Sequence, residues 1–455
     1  MKNIVLIALS IIMVTTAFAQ NDEPKKITLT NAEQQLVEQN NEFAFNLFRE
    51  VRKDETHTDK SQILSPLSIT YALGMLNNGA AGKTQEEINT VLGFKTAGAD
   101  AINQFCRKLL TEAPSLDTET TAEIANTIFV NSHWGYQLKE PFIQKAQQYY
   151  DATPENRDFY DDATRDAINQ WGSDHTHGLI KEVLSQNEFV AGKDYVSYLL
   201  NAIYFKGKWT IPFKKENTCE EPFNGGGNVP MMHISGSELR GGEEFVYTKN
   251  DFYQAVKLSY GNGAYLMTVY LPCPGKTIDD VLDKLNDKNW QVWWGSFVLD
   301  LKLPCFETTT NVNLIPVMSA LGMPTAFTAN AEFPDFCNVS TCIGLMKQVA
   351  KVIVNEEGTE AAAVTIIGNE ATGIPGFAEF HATRPFLYTI SEQSTGIIFF
   401  IGQFMGDDTT GISNAPRLDG NDGMRDVKLF DLQGRRLSGK PAKGVYIENG
   451  RKRVK

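Results

Sequence analysis

The chain has 455 residues, and its 42% hydrophobic share with 27 phenylalanines supplies enough apolar material for a sizeable core. The net charge of −13 and the isoelectric point near 5.1 argue against a nucleic-acid partner, because phosphate groups bind basic surfaces. The length prior allows about three domains, yet no linker-like segment divides roughly the first 400 residues.

Residues 1–19 have the pattern of a secretory signal peptide. Lys2 gives a basic start, a mostly apolar run follows at 4–14, and Ala17 and Ala19 form a small-residue cleavage site. A membrane anchor is the alternative, but the run is shorter than the roughly 20 residues that a spanning helix needs. No other stretch is long enough to span a membrane, so we expect a secreted or cell-surface protein.

A polar leader at 20–30 precedes a series of elements that predicts an α+β fold. Helical spacing of apolar residues predicts helices at 31–51, at 65–76 and within 166–184, the last with Ile168, Trp171 and Ile180 on it. Apolar, aromatic-rich or β-branched runs predict strands at 122–130, 195–209, 263–271, 299–306, 384–390 and 396–401, with a hairpin turn at 391–395. Because helices cluster early and strands dominate late, the order favours α+β over repeated βαβ units.

Cysteine and histidine spacing predicts no metal site. The six cysteines stand at positions 106, 219, 273, 305, 337 and 342. An exported chain permits disulfides, and Cys337 and Cys342 are close enough to form one, whereas buried free thiols are the expectation for most of the others. His175 and His177 are two residues apart, which is not the spacing of a metal-binding pair on a helix, so we expect them at the surface.

Residues 79–84 (Gly-Ala-Ala-Gly-Lys-Thr) contain part of a phosphate-binding loop. The full pattern also requires a glycine where Asn77 stands, and it follows a strand rather than the helix predicted at 65–76. We therefore interpret the segment as a turn between two helices, in which Thr84 caps the second. No G-x-S-x-G or H-E-x-x-H motif of a hydrolase is present.

The most informative pattern lies at 355–367, where small residues follow a glycine. Alanine favours helices, but β-branched residues on both sides of the alanines favour a strand. In a strand, alternate residues share a face, so small side chains would line one side and Glu360 would point to solvent. Gly358 would provide the pivot. The small side chains of that face are Thr359, Ala361, Ala363 and Thr365.

This segment resembles the reactive-loop hinge of the serpins, the large single-domain protease inhibitors. Further segments are similar to the family in the same order along the chain, and residues 200–209 (Leu-Asn-Ala-Ile-Tyr-Phe-Lys-Gly-Lys-Trp) followed by Pro212 and Phe213 are the most specific of them. The other similar segments are 63–69, 80–84, 168–171, 176–178, 229–232, 321–322 and 380–386. The resemblance implies a serpin fold at 31–406, with helices around a large central mixed β-sheet, smaller sheets and an exposed reactive loop.

The resemblance implies a monomeric suicide-substrate inhibitor that forms a covalent complex with a serine protease, has no catalytic residues and needs no cofactor. The hinge and reactive loop would occupy 355–379. The implied hinge residues are Glu356, Gly358, Thr359, Glu360, Ala361, Ala362, Ala363, Val364 and Thr365. The implied structural switch consists of Ser65, Ser68, Asn201, Trp209 and Gln348.

Counting along the hinge places the reactive bond at Thr372–Gly373, and counting back from Phe380 allows Ala371–Thr372 instead. The residue before the cut is small and uncharged in both cases, which suits elastase-like or subtilisin-like proteases. No lysine or arginine lies between Glu356 and His381, so a trypsin-like target is not expected. The alternatives are a non-inhibitory serpin, acting as a substrate, carrier or chaperone, and a secreted hydrolase.

Two positions depart from the pattern of the family. Gln348 stands where the family commonly has a histidine that latches the centre of the sheet. Cys305 stands where a lysine commonly pairs with the glutamate that corresponds to Glu356. Either the loop inserts more readily in this chain, or other contacts hold it.

The composition changes after Gly406. Residues 407–426 are polar and linker-like, and residues 427–455 alternate as short strands do. Residues 424–455 carry ten lysines and arginines against three acidic residues, a charge of +7 that leaves −20 for the rest of the chain. This tail resembles the C-terminal sorting tails of proteins exported by the type IX system of Bacteroidetes. The alternative is a basic tail that contacts an acidic surface.

Overall fold

The computed structural model describes residues 24–94, 97–186, 188–189, 195–224, 226–237, 244–359 and 376–406, and four short strands between 429 and 454. The chain divides into two compact units, residues 1–413 and 414–455. The signal peptide predicted at 1–19, the hinge and reactive-loop residues from Glu360 to Thr372–Gly373, and the linker predicted at 407–426 lie outside the described residues. Export and sorting by the tail stay predictions.

Helices dominate the first part of the first unit. Thr30 and Glu33 form a capping box that starts the first helix, and Pro66 follows the N-cap residue Ser65 at the start of the third. The helices are α1 (Asn31–Arg52), α2 (Glu55–Thr58), α3 (Pro66–Asn77), α4 (Gly82–Val91), α5 (Gly98–Glu112), α6 (Glu140–Tyr150), α7 (Asp162–Asp174), α8 (Ile278–Leu285) and α9 (Leu314–Leu321). The two predicted N-terminal helices are confirmed as α1 and α3.

The strands of the first unit form two sheets. They are β1 (Gln62–Leu64), β2 (Thr120–Asn131), β3 (Glu155–Arg157), β4 (Ser197–Lys208), β5 (Cys219–Pro222), β6 (Asn228–Ile234), β7 (Phe245–Lys249), β8 (Tyr253–Tyr260), β9 (Tyr265–Pro272), β10 (Gly295–Pro304), β11 (Phe306–Asn313), β12 (Leu345–Asn355), β13 (Gly358–Thr359), β14 (Gly376–His381), β15 (Phe386–Glu392) and β16 (Ile398–Phe404). A six-stranded mixed sheet has the order β11-β12-β13-β4-β2-β3. A ten-stranded sheet has the order β1-β16-β15-β9-β8-β7-β10-β6-β5, and β14 pairs with β10 in parallel.

Helix α3 lies in the core between the two sheets. All of its residues are buried, and it contacts β2 and β4 of the six-stranded sheet as well as β16 of the ten-stranded sheet. Its sequence is apolar around the whole helix, as expected for a helix that faces protein on every side. One face of the six-stranded sheet therefore packs on a helix that has no solvent-exposed face.

Three details of the predicted elements are wrong. The helix predicted within 166–184 ends at Asp174, and Ile180 is a buried residue of the loop that follows. The strand predicted at 299–306 is two strands of different sheets, because the chain leaves β10 at Pro304 and enters β11 at Phe306. Thr84 does not cap α4: Ala81 is the N-cap residue, and Thr84 Oγ1 accepts a hydrogen bond from the Glu332 amide at 2.9 Å.

The thiols are all free. Cys106, Cys305 and Cys337 are buried, and Cys219 is exposed. The possible bridge between Cys337 and Cys342 is not formed, since the Cys337 thiol donates instead to the carbonyl of Val339 at 3.2 Å. The fold is therefore held by packing and hydrogen bonds without disulfide closure.

The second unit contains the described strands β17 (Leu429–Phe430), β18 (Arg436–Leu437), β19 (Val445–Glu448) and β20 (Arg451–Val454), which pair antiparallel in the order β18-β17-β19-β20. Short strands in this tail agree with the alternation of its sequence. Within the described ranges of the whole chain, no helix combines the length and hydropathy needed to cross a bilayer.

Candidate functional site

The centre of the six-stranded sheet is a seam between β12 and β4. The two strands pair directly, in parallel, only along 345–348 and 198–201. We call this directly paired stretch the zipped part of the seam. Beyond it, residues 349–353 pair with β11 and residues 202–206 pair with β2, and no described strand lies between these two stretches. At the far end, Gly358–Thr359 lies between β12 and β4 and runs antiparallel to both. A short strand therefore occupies the entrance of a seam that no other strand of the described residues fills.

Gly358 makes the turn into the seam possible. Its φ is +141°, which side-chain-bearing residues rarely adopt, and a Cβ there would lie 2.2 Å from the carbonyl oxygen of Gly207. Its amide donates to Asn355 Oδ1 at 3.2 Å, so the turn is closed by a side chain of β12. Only glycine fits this position without moving the backbone of β4.

Thr359 is buried at the entrance of the seam, with 2% of its surface exposed. Its hydroxyl forms a 2.8 Å hydrogen bond with the hydroxyl of Tyr260, and the ring of Tyr260 stacks on Trp209 with 4.5 Å between centroids. Burial raises the pKa of the Tyr260 phenol, which therefore stays protonated as a hydrogen-bonding partner. The burial of this position and its hydrogen bond to Tyr260 suit a small polar side chain.

The segment after β4 fixes the connection between β12 and β13. Trp209 Nε1 donates to the carbonyl of Asn355 at 2.9 Å, and the amide of Trp209 donates to the carbonyl of Glu357 at 3.0 Å. The amide of Phe213 donates to the carbonyl of Glu356, also at 3.0 Å. Trp209 thus lies beside the hinge and apart from the other residues of the implied switch.

The remaining switch residues come together at the zipped part of the seam. Gln348 is 1% exposed; its Oε1 accepts from the Ser65 amide at 3.0 Å, and its Nε2 donates to Ser68 Oγ at 2.9 Å and to the Ser65 carbonyl at 3.0 Å. Asn201 Nδ2 donates to the Ser68 carbonyl at 3.1 Å. Because a glutamine amide both donates and accepts, Gln348 ties β12 to the start of α3 without a histidine.

Gln348→Ala is expected to destabilise the intact protein. The variant leaves the buried Ser65 amide without its acceptor, and an unsatisfied buried group costs about 1–3 kcal/mol. The measurement is the midpoint of thermal or urea unfolding of the full chain, which we expect to fall. Gln348→His, the residue that the resemblance leads us to expect at this position, is the matched control and should lose less. An unchanged midpoint for Gln348→Ala would show that the network does not hold the sheet.

Cys305 stands at the base of the loop, where the resemblance predicts a lysine that pairs with Glu356, and other contacts hold the hinge there. Burial, and then the neighbouring Glu356 carboxylate, raise the pKa of the Cys305 thiol, so the thiol stays protonated beside that carboxylate. Lys215 forms an ion pair with the next residue, Glu357, at 2.5 Å, but both side chains are largely accessible to solvent and the pair is worth little. The buried contacts of Trp209 and Tyr260 therefore dominate the attachment of the hinge.

Sequence reasoning missed Tyr260, Asn355 and Lys215. Tyr260 belongs to the other sheet and is 99 positions from Thr359, so no spacing pattern connects the two. Asn355, three residues before Gly358 in a glutamate-rich turn, offered the one usable signal, because asparagine side chains commonly close such turns. Among the described residues, no group of three or more histidine, cysteine or acidic side chains is arranged to hold a metal ion.

The fold and the site define a protein whose mixed sheet holds an open seam with a strand at its entrance. A family model described as "Serpin (serine protease inhibitor)" matches residues 38–406. The chain belongs to the serpin family, whose members are mostly serine protease inhibitors rather than catalysts. The predicted family and α+β serpin fold are thereby confirmed.

Relatives and solved structures agree along most of the chain. Serpin B13 of Homo sapiens is 30% identical over 392 residues, which cover 79% of this chain and 96% of that protein. Neuroserpin of Mus musculus is 29% identical over 388 residues, with 82% and 92% covered. Human thyroxine-binding globulin superposes with a TM-score of 0.70 at 24% identity, covering 82% of this chain and 98% of its own. Native Tengpin, a thermophilic serpin, has a TM-score of 0.70 at 23% identity, with 84% and 96% covered.

Proposed function

We propose that this serpin inhibits serine proteases as a suicide substrate. The protease serine Oγ attacks the carbonyl carbon of Thr372, an ester bond forms, the bond to Gly373 breaks and the Gly373 amine leaves with a proton. The freed segment then enters the seam before water hydrolyses the ester. The observation that carries the proposal is that Gly358–Thr359 already lies between β12 and β4, antiparallel to both.

The register of β13 supports an inserted strand whose buried face carries small side chains. Thr359 pairs with Val354, and continuing the antiparallel register in steps of two residues keeps the same face inward. The pairs in the inserted state would be Ala361–Val352, Ala363–Ala350 and Thr365–Gln348. The β12 members of these pairs are 3%, 0% and 1% exposed, so small partners are needed on the inserted strand. The sequence supplies alanine and threonine there.

Insertion must also open the zipped part of the seam. Thr365 would pair with Gln348, which now pairs with Asn201, so the contact between 345–348 and 198–201 has to separate. The loop after α7 covers this region, because Lys347 Nζ donates to the carbonyl of Val183 at 3.0 Å and to Glu188 at 2.6 Å. The new strand gains ladders to β12 and β4, each hydrogen bond contributing about 0.5–1.5 kcal/mol net. The two ladders that the new strand forms with β12 and β4 replace the single ladder between β12 and β4, which favours the inserted state.

The target protease is expected to be elastase-like or subtilisin-like, with a cut after Thr372. Incubation of the full chain with elastase, subtilisin and trypsin, followed by an SDS gel and mass spectrometry, tests this. We expect an SDS-stable complex with the first two enzymes and a new N-terminus at Gly373. A cut at Ala371–Thr372 would support the alternative reactive bond, and a cut elsewhere in the loop would reject both predicted bonds.

The same assay separates the alternative functions. A cut without a covalent complex would identify a non-inhibitory serpin that is merely a substrate. Turnover of peptides by the chain itself, with no protease added, would identify a hydrolase. A covalent complex that contains the loop up to Thr372 contradicts both alternatives.

A further inference from the structure

Two aromatic side chains stand out on the surface. Trp293 is 88% exposed and Phe377 is 64% exposed, more than any other large apolar side chain that the structure describes. Both line one groove of about 730 Å³ between β7, β10 and β14. Exposed aromatic side chains that share a groove are typical of protein-binding surfaces, and tryptophan is enriched among the residues that dominate binding energy.

The walls of the groove are fixed before any partner arrives. Strand β14 pairs with β10 along all six of its residues, and His381 at its end contacts Asp300 Oδ1 at 2.8 Å. The rings of Tyr247 and Phe297 meet edge to face with 5.3 Å between centroids. The carbonyl of Trp293 accepts a 2.7 Å hydrogen bond from the Thr248 hydroxyl. Such preorganised walls lose little entropy when a partner binds.

The groove lies within a short length of chain of the proposed reactive bond. Phe377 is five residues after Thr372, and five residues of fully extended chain span at most about 18 Å. A compact protease domain of roughly 250 residues has a radius of gyration of about 18 Å, so its body extends past that reach. A protease that holds Thr372 and Gly373 in its active-site cleft therefore lies over or directly beside the groove.

We propose that this groove is an exosite for the target protease, occupied by an apolar surface loop beside the protease active-site cleft. The inference rests on the proposed inhibitory function and deepens it. Trp293 and Phe377 supply the apolar contact, and the exposed side chains of Lys249 and Glu379 supply a polar edge. The residues of the reactive loop bind the specificity pocket of the protease, whereas this groove binds a second surface of the same protease.

The test uses Trp293→Ala in the full chain, with Trp134→Ala as the matched control. Trp134 is also exposed, at 58%, but it packs against His133 and Tyr160 and does not line the groove. The partner is the protease of the panel that reacts fastest. Its catalytic-serine-to-alanine form reports the dissociation constant of the non-covalent complex, and its active form reports the association rate constant and the stoichiometry of inhibition.

We expect Trp293→Ala to weaken the non-covalent complex and slow association about tenfold, with the stoichiometry of inhibition unchanged. Trp134→Ala should change either constant less than about twofold. If both variants had the same dissociation constant and the same association rate constant, the exosite proposal would be overturned. A covalent complex in the same experiment would still support the proposed inhibitory function. The absence of any covalent complex with the wild-type chain would overturn both. Sedimentation showing a dimer that Trp293→Ala dissociates would assign the groove to a second copy of the chain and reject the exosite.

Discussion

Thr359→Arg is expected to turn the chain from an inhibitor into a substrate of the same protease. Thr359 is 2% exposed and bonded to the Tyr260 hydroxyl, so an arginine there either overpacks the entrance or stays outside it. Overpacking costs about 1–3 kcal/mol, and burying an unpaired guanidinium costs several more. Each 1.4 kcal/mol or so added to the insertion barrier slows insertion about tenfold, which gives water time to hydrolyse the ester.

The measurement is the fraction of cut molecules that become covalent complex on an SDS gel. We expect nearly complete cleavage with little complex for Thr359→Arg. Thr359→Ser keeps the hydroxyl and the small volume, and should trap protease as the wild type does. Thr359→Val keeps the shape without the hydroxyl and separates the contribution of the Tyr260 hydrogen bond. If Thr359→Arg trapped as much protease per mole as Thr359→Ser, small size at the hinge would not be the requirement.

The sequence was sufficient where one segment carries its own pattern. Helix α1 follows from its apolar spacing, and the strands β4 and β9 follow from their apolar runs. The sequence failed at Cys305, where a single residue passes the chain from one sheet to the other within an apolar run. Hydropathy does not change at that point, so only the pairing partners of β10 and β11 mark the boundary.

The candidate site shows the same division. The small residues and the glycine of the hinge are visible in the sequence, because the proposed strand insertion would restrict them locally. That Gly358–Thr359 already occupies the seam depends on β12, β4 and Tyr260, which are far apart in the chain. The effect of Gln348 was open for a related reason. Its three hydrogen bonds reach Ser65 and Ser68, 283 and 280 positions away, and no local pattern foretells them.

Cutting the loop without trapping is expected to raise the thermal unfolding midpoint of the chain by roughly 20 °C. Serpin loop insertion is itself a known example of strand addition with release of stored strain. In this chain, residues 349–353 and 202–206 have ladder partners on their outer sides, and insertion adds a strand between them. About ten new hydrogen bonds at about 1 kcal/mol each give on the order of 10 kcal/mol, and at about 2 °C per kcal/mol this gives the expected rise.

The cut is needed because the loop is attached at both ends. Strand β14 holds Gly376 on β10 while β13 holds Thr359 at the entrance of the seam, and full insertion carries Thr372 towards the opposite end of β12. A cysteine protease or metalloprotease that cuts between Thr365 and Gly376 releases this restraint without forming a serine ester.

Calorimetry then compares the unfolding midpoints of intact and cut protein. The cut Thr359→Arg variant is the matched control, and its midpoint should rise less, because the cost of placing the arginine in the seam is subtracted from the free energy of insertion. Equal midpoints for intact and cut wild-type protein would mean that the seam stores no free energy, and inhibition by insertion would have no driving force.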